Sequence, residues 1–180
     1  MPVELLVKRP KRGGFSYVIG WGDMVFSFFS SVSYNLEGAG NWGKRFPRLL
    51  LDLCDHGVVE NQHLDELYQE LAVISWELPK FPLSAAVYDI EHLELPIPWE
   101  VIPGAENNNL AQPWVTPRGA ESYFSVFKKQ IELAKEENTS LLLIYPPETA
   151  NRETLWQRKE KGHDYWTKDK DPISLPQNDR

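Results

Sequence analysis

Between residues 60 and 79 the chain reads ENQHLDELYQELAVISWELP, and Leu64, Leu67, Leu71, Ile74 and Leu78 recur there at steps of three and four residues. That spacing stacks all five side chains on one side of an α-helix. A helix with one apolar stripe must bury it against another layer, so the chain needs a layered core around this element. Pro79 predicts its end. Five acids and no Lys or Arg lie between residues 60 and 77. Glu66, Glu70 and Glu77 fall off the apolar stripe, either as a solvated helix face or as an acidic binding surface.

The remaining elements are read around that helix. Residues 3–8 and 15–20 form short mixed or apolar runs separated by Pro10, Gly13 and Gly14, which predicts a hairpin. Asp23 precedes an aromatic, serine-rich run and reads as the cap of a helix over residues 24–36, although the aromatic and serine content also allows a strand for part of it. A Gly-rich loop over residues 37–47 has no Gly-Lys-Ser/Thr, so its glycines serve turning rather than phosphate binding. Pro47 suits the first turn of a short helix ending near Asp55, with Gly57 as its stop. Residues 85–90 read as a strand. Pro96, Pro98 and Pro103 then exclude regular structure from a long connection over residues 91–113, and such connections often carry function. Thr116-Pro117 predicts the start of a helix that stops near Asn138, with Tyr123, Phe124, Phe127, Ile131 and Ala134 on its apolar face. SLLLIY, residues 140–145, reads as a central strand.

These elements predict an α+β fold. One domain over residues 1–146 has a small mixed or antiparallel sheet from residues 3–8, 15–20, 85–90 and 140–145. Helices over residues 61–78 and 117–137 cover it. Pro146-Pro147 marks a boundary, and residues 147–180 read as a polar, partly ordered extension.

Charge limits the function. The 180 residues carry 26 acids against 19 bases, a formal net charge of −7. Residues 146–180 are balanced, so the excess lies before them. An acidic chain lacks the footprint of a nucleic-acid binder and suits a basic protein partner. The basic cluster Lys8, Arg9, Lys11 and Arg12 reads as a solvated hairpin tip. No apolar run is long enough to span a membrane and the N-terminus has no secretory pattern, which predicts a cytoplasmic protein. Cys54 is the single cysteine, so no internal disulfide and no cysteine-rich zinc site can form.

No nucleophile elbow, zinc motif, dinucleotide fingerprint or Walker motif is present, and no cofactor is expected. Cys54 and His56 are near in sequence, but nearness does not orient a nucleophile and base. His56 and His63 with Asp52 or Glu60 match no metal spacing. Asp89, Glu91 and Glu94 follow one strand end and read as a charged rim rather than opposed acid and base. Among seven tryptophans, Trp99 and Trp114 flank the long connection and are the interface candidates.

An ordered series of segments runs through residues 26–32, Trp42-Gly43, Phe46-Pro47, Glu70-Leu71 and Phe81-Pro82. It continues with Val87, Tyr88, Asp89, Ile90 and Glu91, then Pro98-Trp99, and Trp114, Val115, Thr116 and Gly119. In its order and spacing the series resembles the bacterial polymorphic-toxin immunity proteins called Immunity protein 70. The likeness covers roughly residues 15–137. The family pattern favours Trp at Tyr88, Asp at His92 and often Phe or Tyr at Trp114, so the acidic cluster is incomplete here. The resemblance implies a non-catalytic antidote that binds a cognate secreted toxin's C-terminal domain. Glu66, Glu70, Asp89, Glu91, Trp99 and Trp114 are then the candidate contacts. Two other readings stay open: a small hydrolase or transferase using Asp89, Glu91 or Cys54-His56, and an adaptor or oligomeric structural protein.

Overall fold

A computed structural model describes residues 2–8, 14–97, 109–117 and 121–145. Strands β1 (Pro2–Val7) and β2 (Phe15–Trp21) form the expected antiparallel hairpin. Helix α1 (Gly22–Val32) follows directly and widens into a π-helical turn over Ser33–Glu37. A second π-helix, Arg48–Asp55, leads through Gly57 into β3 (Val58–Val59). Then come α2 (Leu64–Glu77), α3 (Tyr123–Glu136) and β4 (Leu141–Ile144). The sheet has the order β2-β1-β4-β3 and every pairing is antiparallel. The fold is therefore a single α+β domain.

The sheet's centre explains the composition of β4. Leu141, Leu142 and Leu143 are all buried, as are Leu5, Leu6 and Val7 opposite them. Successive strand residues point to opposite faces, so both faces of the β1–β4 pair are covered and no polar alternation survives. The predicted stripe of α2 is entirely buried: Leu64, Leu67, Leu71, Ile74 and Leu78 all join the core. From α3, Tyr123, Val126, Phe127, Ile131 and Ala134 meet Phe28 and Phe29 of α1 in the same core. Phe28 packs edge-on against Trp114, Tyr123 and Phe124, with ring centroids 5.6–5.8 Å apart. Gly20 makes this closure fit, because a Cβ there would stand 2.2 Å from the Tyr123 hydroxyl.

Three expectations are corrected. Residues 85–90 are not a strand; the fourth strand is the two-residue β3, too short to show a pattern. Asp23 does not cap α1; Trp21 occupies that position without a side-chain cap and Asp23 sits in the first turn, where a negative charge suits the helix dipole. The third helix starts at Tyr123 rather than at Thr116-Pro117. Its cap is Ser122, whose Oγ accepts the Ser125 N–H at 3.2 Å. Thr116 instead follows the bridge between Val115 and Ser122, with its N–H donating to the Glu121 carbonyl at 2.8 Å. The reading of the basic cluster as a hairpin tip is a separate matter, since only Lys8 of it lies within the described residues.

Candidate functional site

The strand-like run at residues 85–90 owes its shape to α1. Ser27, Ser30 and Ser31 stand at helical steps of three and four and are all fully buried. Ser27 Oγ donates to the Val87 carbonyl at 2.6 Å. Ser31 Oγ accepts the Val87 N–H at 2.9 Å and donates to the same carbonyl at 3.2 Å. Ser30 Oγ accepts the Ile90 N–H at 3.2 Å, and Asn35 Nδ2 donates to the Ala85 carbonyl at 3.0 Å. A row of hydroxyls thus supplies what a neighbouring strand would otherwise supply to a buried backbone.

Asp89 continues this anchorage. It is 1% exposed, and its Oδ1 accepts the Glu91 N–H at 2.8 Å while its Oδ2 has no hydrogen-bond partner. The partial burial of Tyr88, helped by the neighbouring Asp89 charge, holds the Tyr88 hydroxyl above the usual tyrosine range. Turns follow from Asp89 O to His92 N and from His92 O to Leu95 N. The chain then stands in solvent: Glu91, Leu93, Glu94, Leu95 and Pro96 are exposed, Leu93 at 54% and Leu95 at 38%. Glu94 Oε1 lies 3.3 Å from His92 Nδ1. A backbone hydrogen bond, aided by His92, keeps its carboxyl below the usual range.

The acids of α2 have a different use. Glu66 is exposed, but Arg48 Nε donates to it at 2.7 Å and His63 Nδ1 lies 3.1 Å away. Glu77 takes both guanidinium nitrogens of Arg45 at 2.7 and 2.8 Å. Asp65 pairs with Lys135. Glu70 turns inward, accepting the N–H groups of Arg48 and Leu49 at 3.0 and 2.8 Å and so capping the Arg48–Asp55 helix. Burial pushes its carboxyl up to about 7, against the pull of those two N–H groups and Arg48.

The predicted contacts therefore divide. Glu66 and Glu91 are at the surface, Glu70 and Asp89 hold the backbone of other segments, and Trp114 is fully buried in the aromatic core. A wholly buried Trp114 presents no side-chain surface to a partner. Trp99 lies outside the described residues. Sequence reasoning passed over Trp76, 74% exposed on α2, and Leu93 and Leu95. Trp76 was legible, since it lies off the α2 stripe. The alternation of Leu93 and Leu95 with acids was the signal at the other place.

Cys54 and the carboxylates near Asp89 do not line the groove found among the described residues. Cys54 is buried, and Asp55 beside it accepts the Trp42 Nε1–H at 3.0 Å. A groove of about 370 Å³ lies between α2 and α3, lined by Tyr68, Leu71, Ala72, Ser75, Phe124, Ser125 and Lys128, and includes none of the acids or the cysteine. Among the described residues, no group of three or more His, Cys, Asp and Glu is placed to hold a metal ion, and no helix is long and apolar enough to cross a membrane.

Comparison with known proteins gives one match. The family model described as Immunity protein 70 matches residues 11–143. No curated protein and no solved structure matches the chain.

Proposed function

The chain belongs to the Immunity protein 70 family, and from that premise we propose that it is a non-catalytic immunity protein that binds and neutralises a cognate bacterial toxin domain in the cytoplasm. The observation that carries this reading is the extent of the match. Residues 11–143 run from the β1–β2 connection into β4, so the family unit and the folded body nearly coincide. The net charge of −7 supports a basic partner. Glu66 and Glu91 are the sequence-predicted acids that remain at the surface in support of such contact.

The test is co-expression. The toxin domain encoded beside this chain's gene is induced in a sensitive host with and without the chain. Restored growth and a one-to-one complex are expected. Continued killing despite soluble chain would refute the reading.

A further inference from the structure

We propose that residues 91–95 are the segment that seats in the toxin, with Leu93 and Leu95 entering an apolar depression bordered by Lys and Arg. This deepens the immunity reading and rests on it. The partner surface is a cationic cleft of the kind that binds a polyanionic substrate, so occupation of that cleft is the means of neutralisation.

Three independent features converge on this segment. The first is charge. Residues 81–117 hold five acids and no Lys or Arg, the longest stretch of the chain without a cationic side chain. Asp65, Glu66 and Glu77 of α2 are each tied to an arginine or lysine of the same chain, whereas Glu94 meets a histidine. The second is apolar exposure: Leu93 and Leu95 stand out beside Glu91 and Glu94. Apolar groups that become desolvated at the centre of a contact, with charges at its rim, are the usual arrangement of an affinity-determining patch. The third is the foot. Asp89 is 1% exposed and its Oδ1 accepts the Glu91 N–H at 2.8 Å, so the exposed segment leaves the body from a fixed point.

The anchorage makes the segment suitable for binding. Ser27, Ser30, Ser31 and Asp89 fix the backbone through Glu91 before any partner arrives. Less ordering entropy is then lost on association. The other exposed apolar surface fits this partner less well. On α2, where Trp76 and Val73 are exposed, Lys80 Nζ lies 5.4 Å from the Trp76 ring centre, and the adjoining groove contains Lys128. Like charge there opposes a cationic cleft.

The experiment uses the full chain and the toxin domain encoded beside its gene, with binding measured by calorimetry and biosensor at low and high salt. L93A/L95A is expected to weaken binding by about 30-fold or more, in the range of central apolar contacts. Its thermal midpoint should stay unchanged, since both side chains are exposed. E91Q/E94Q should slow association and flatten its salt dependence. W76A should bind within about threefold of the unmodified chain, as expected outside the central contact. Full affinity in L93A/L95A, or a loss confined to W76A, would overturn the assignment and leave the immunity reading standing. An unmodified chain that neither binds nor rescues would overturn both.

Discussion

Ser31 and Val87 exchange hydrogen bonds in both directions: the hydroxyl accepts the Val87 N–H at 2.9 Å and lies 3.2 Å from its carbonyl oxygen as donor. Ser27 serves the same carbonyl. The two serines are therefore unequal. Ser31→Ala strands a buried N–H and should cost about 1–3 kcal/mol, while Ser27→Ala leaves the carbonyl one donor and should cost about 1 kcal/mol. Urea unfolding midpoints measure the difference. Equal losses would mean that the Val87 N–H finds another acceptor.

Glu37 has a similar position in the Gly-rich loop. Its carboxylate accepts the N–H groups of Gly43, Arg45 and Phe46 at 2.8–3.0 Å and the Ser33 hydroxyl at 2.8 Å. Gly43 has φ +71, and a Cβ there would meet Leu51 at 2.5 Å. The loop is thus a turn wound around one carboxylate. Glu37→Ala should cost about 2 kcal/mol, because several charge-assisted bonds are lost together. Arg45→Ala removes the Glu77 pair, but Arg45 is substantially exposed and solvent screens it, so about 1 kcal/mol or less is expected. Thermal unfolding of the two variants checks the ranking.

What could be read ahead of the structure followed from how local each signal is. The α2 stripe repeats over four turns, and burial of its five residues needed no knowledge of the partner layer. Residues 85–90 misled because a buried extended backbone and a strand have the same composition. What distinguishes them is whether the hydrogen bonds go to a strand or to Ser27, Ser30 and Ser31, some sixty positions away. Thr116-Pro117 obeys the rule for a helix start, yet Ser122 performs the capping because the Thr116 N–H is drawn to Glu121. At the site, the exposure of Glu66 followed from helical phase. The inward turns of Glu70 and Asp89 did not, since each carboxylate satisfies backbone groups of a segment that periodicity cannot place.

Glu70 makes stability depend on pH in an otherwise quiet range. Its carboxyl is raised from 4.5 to about 7, so the folded chain holds a proton there that the unfolded chain has released. Its contribution is complete below about 4.5 and is lost as pH rises through about 7. The carboxyls of Glu66, Glu77, Glu94 and Glu121 are held below their usual range and act only under more acid conditions. Unfolding midpoints should therefore fall between pH 5 and pH 8. Glu70→Gln should be less stable overall, because its amide meets two N–H donors with one acceptor, but its midpoint should be flat across that range. The same slope in both proteins would assign the pH dependence elsewhere.

Glu66 tests how an exposed acid acts once a cation of its own chain holds it. The pair with Arg48 and the contact with His63 already orient the carboxylate and keep it ionised. A partner's lysine could take it over only by displacing Arg48, so little is gained in the bound state. Its charge still contributes to the negative field that draws a cationic partner from a distance, and that field is felt mainly before contact. Glu66→Gln should therefore lower the association rate by less than about threefold at low salt, with no effect at high salt, while dissociation is unchanged. Biosensor kinetics with the toxin domain separate the two rates. A faster dissociation would show that Glu66 exchanges Arg48 for the partner and belongs to the contact itself.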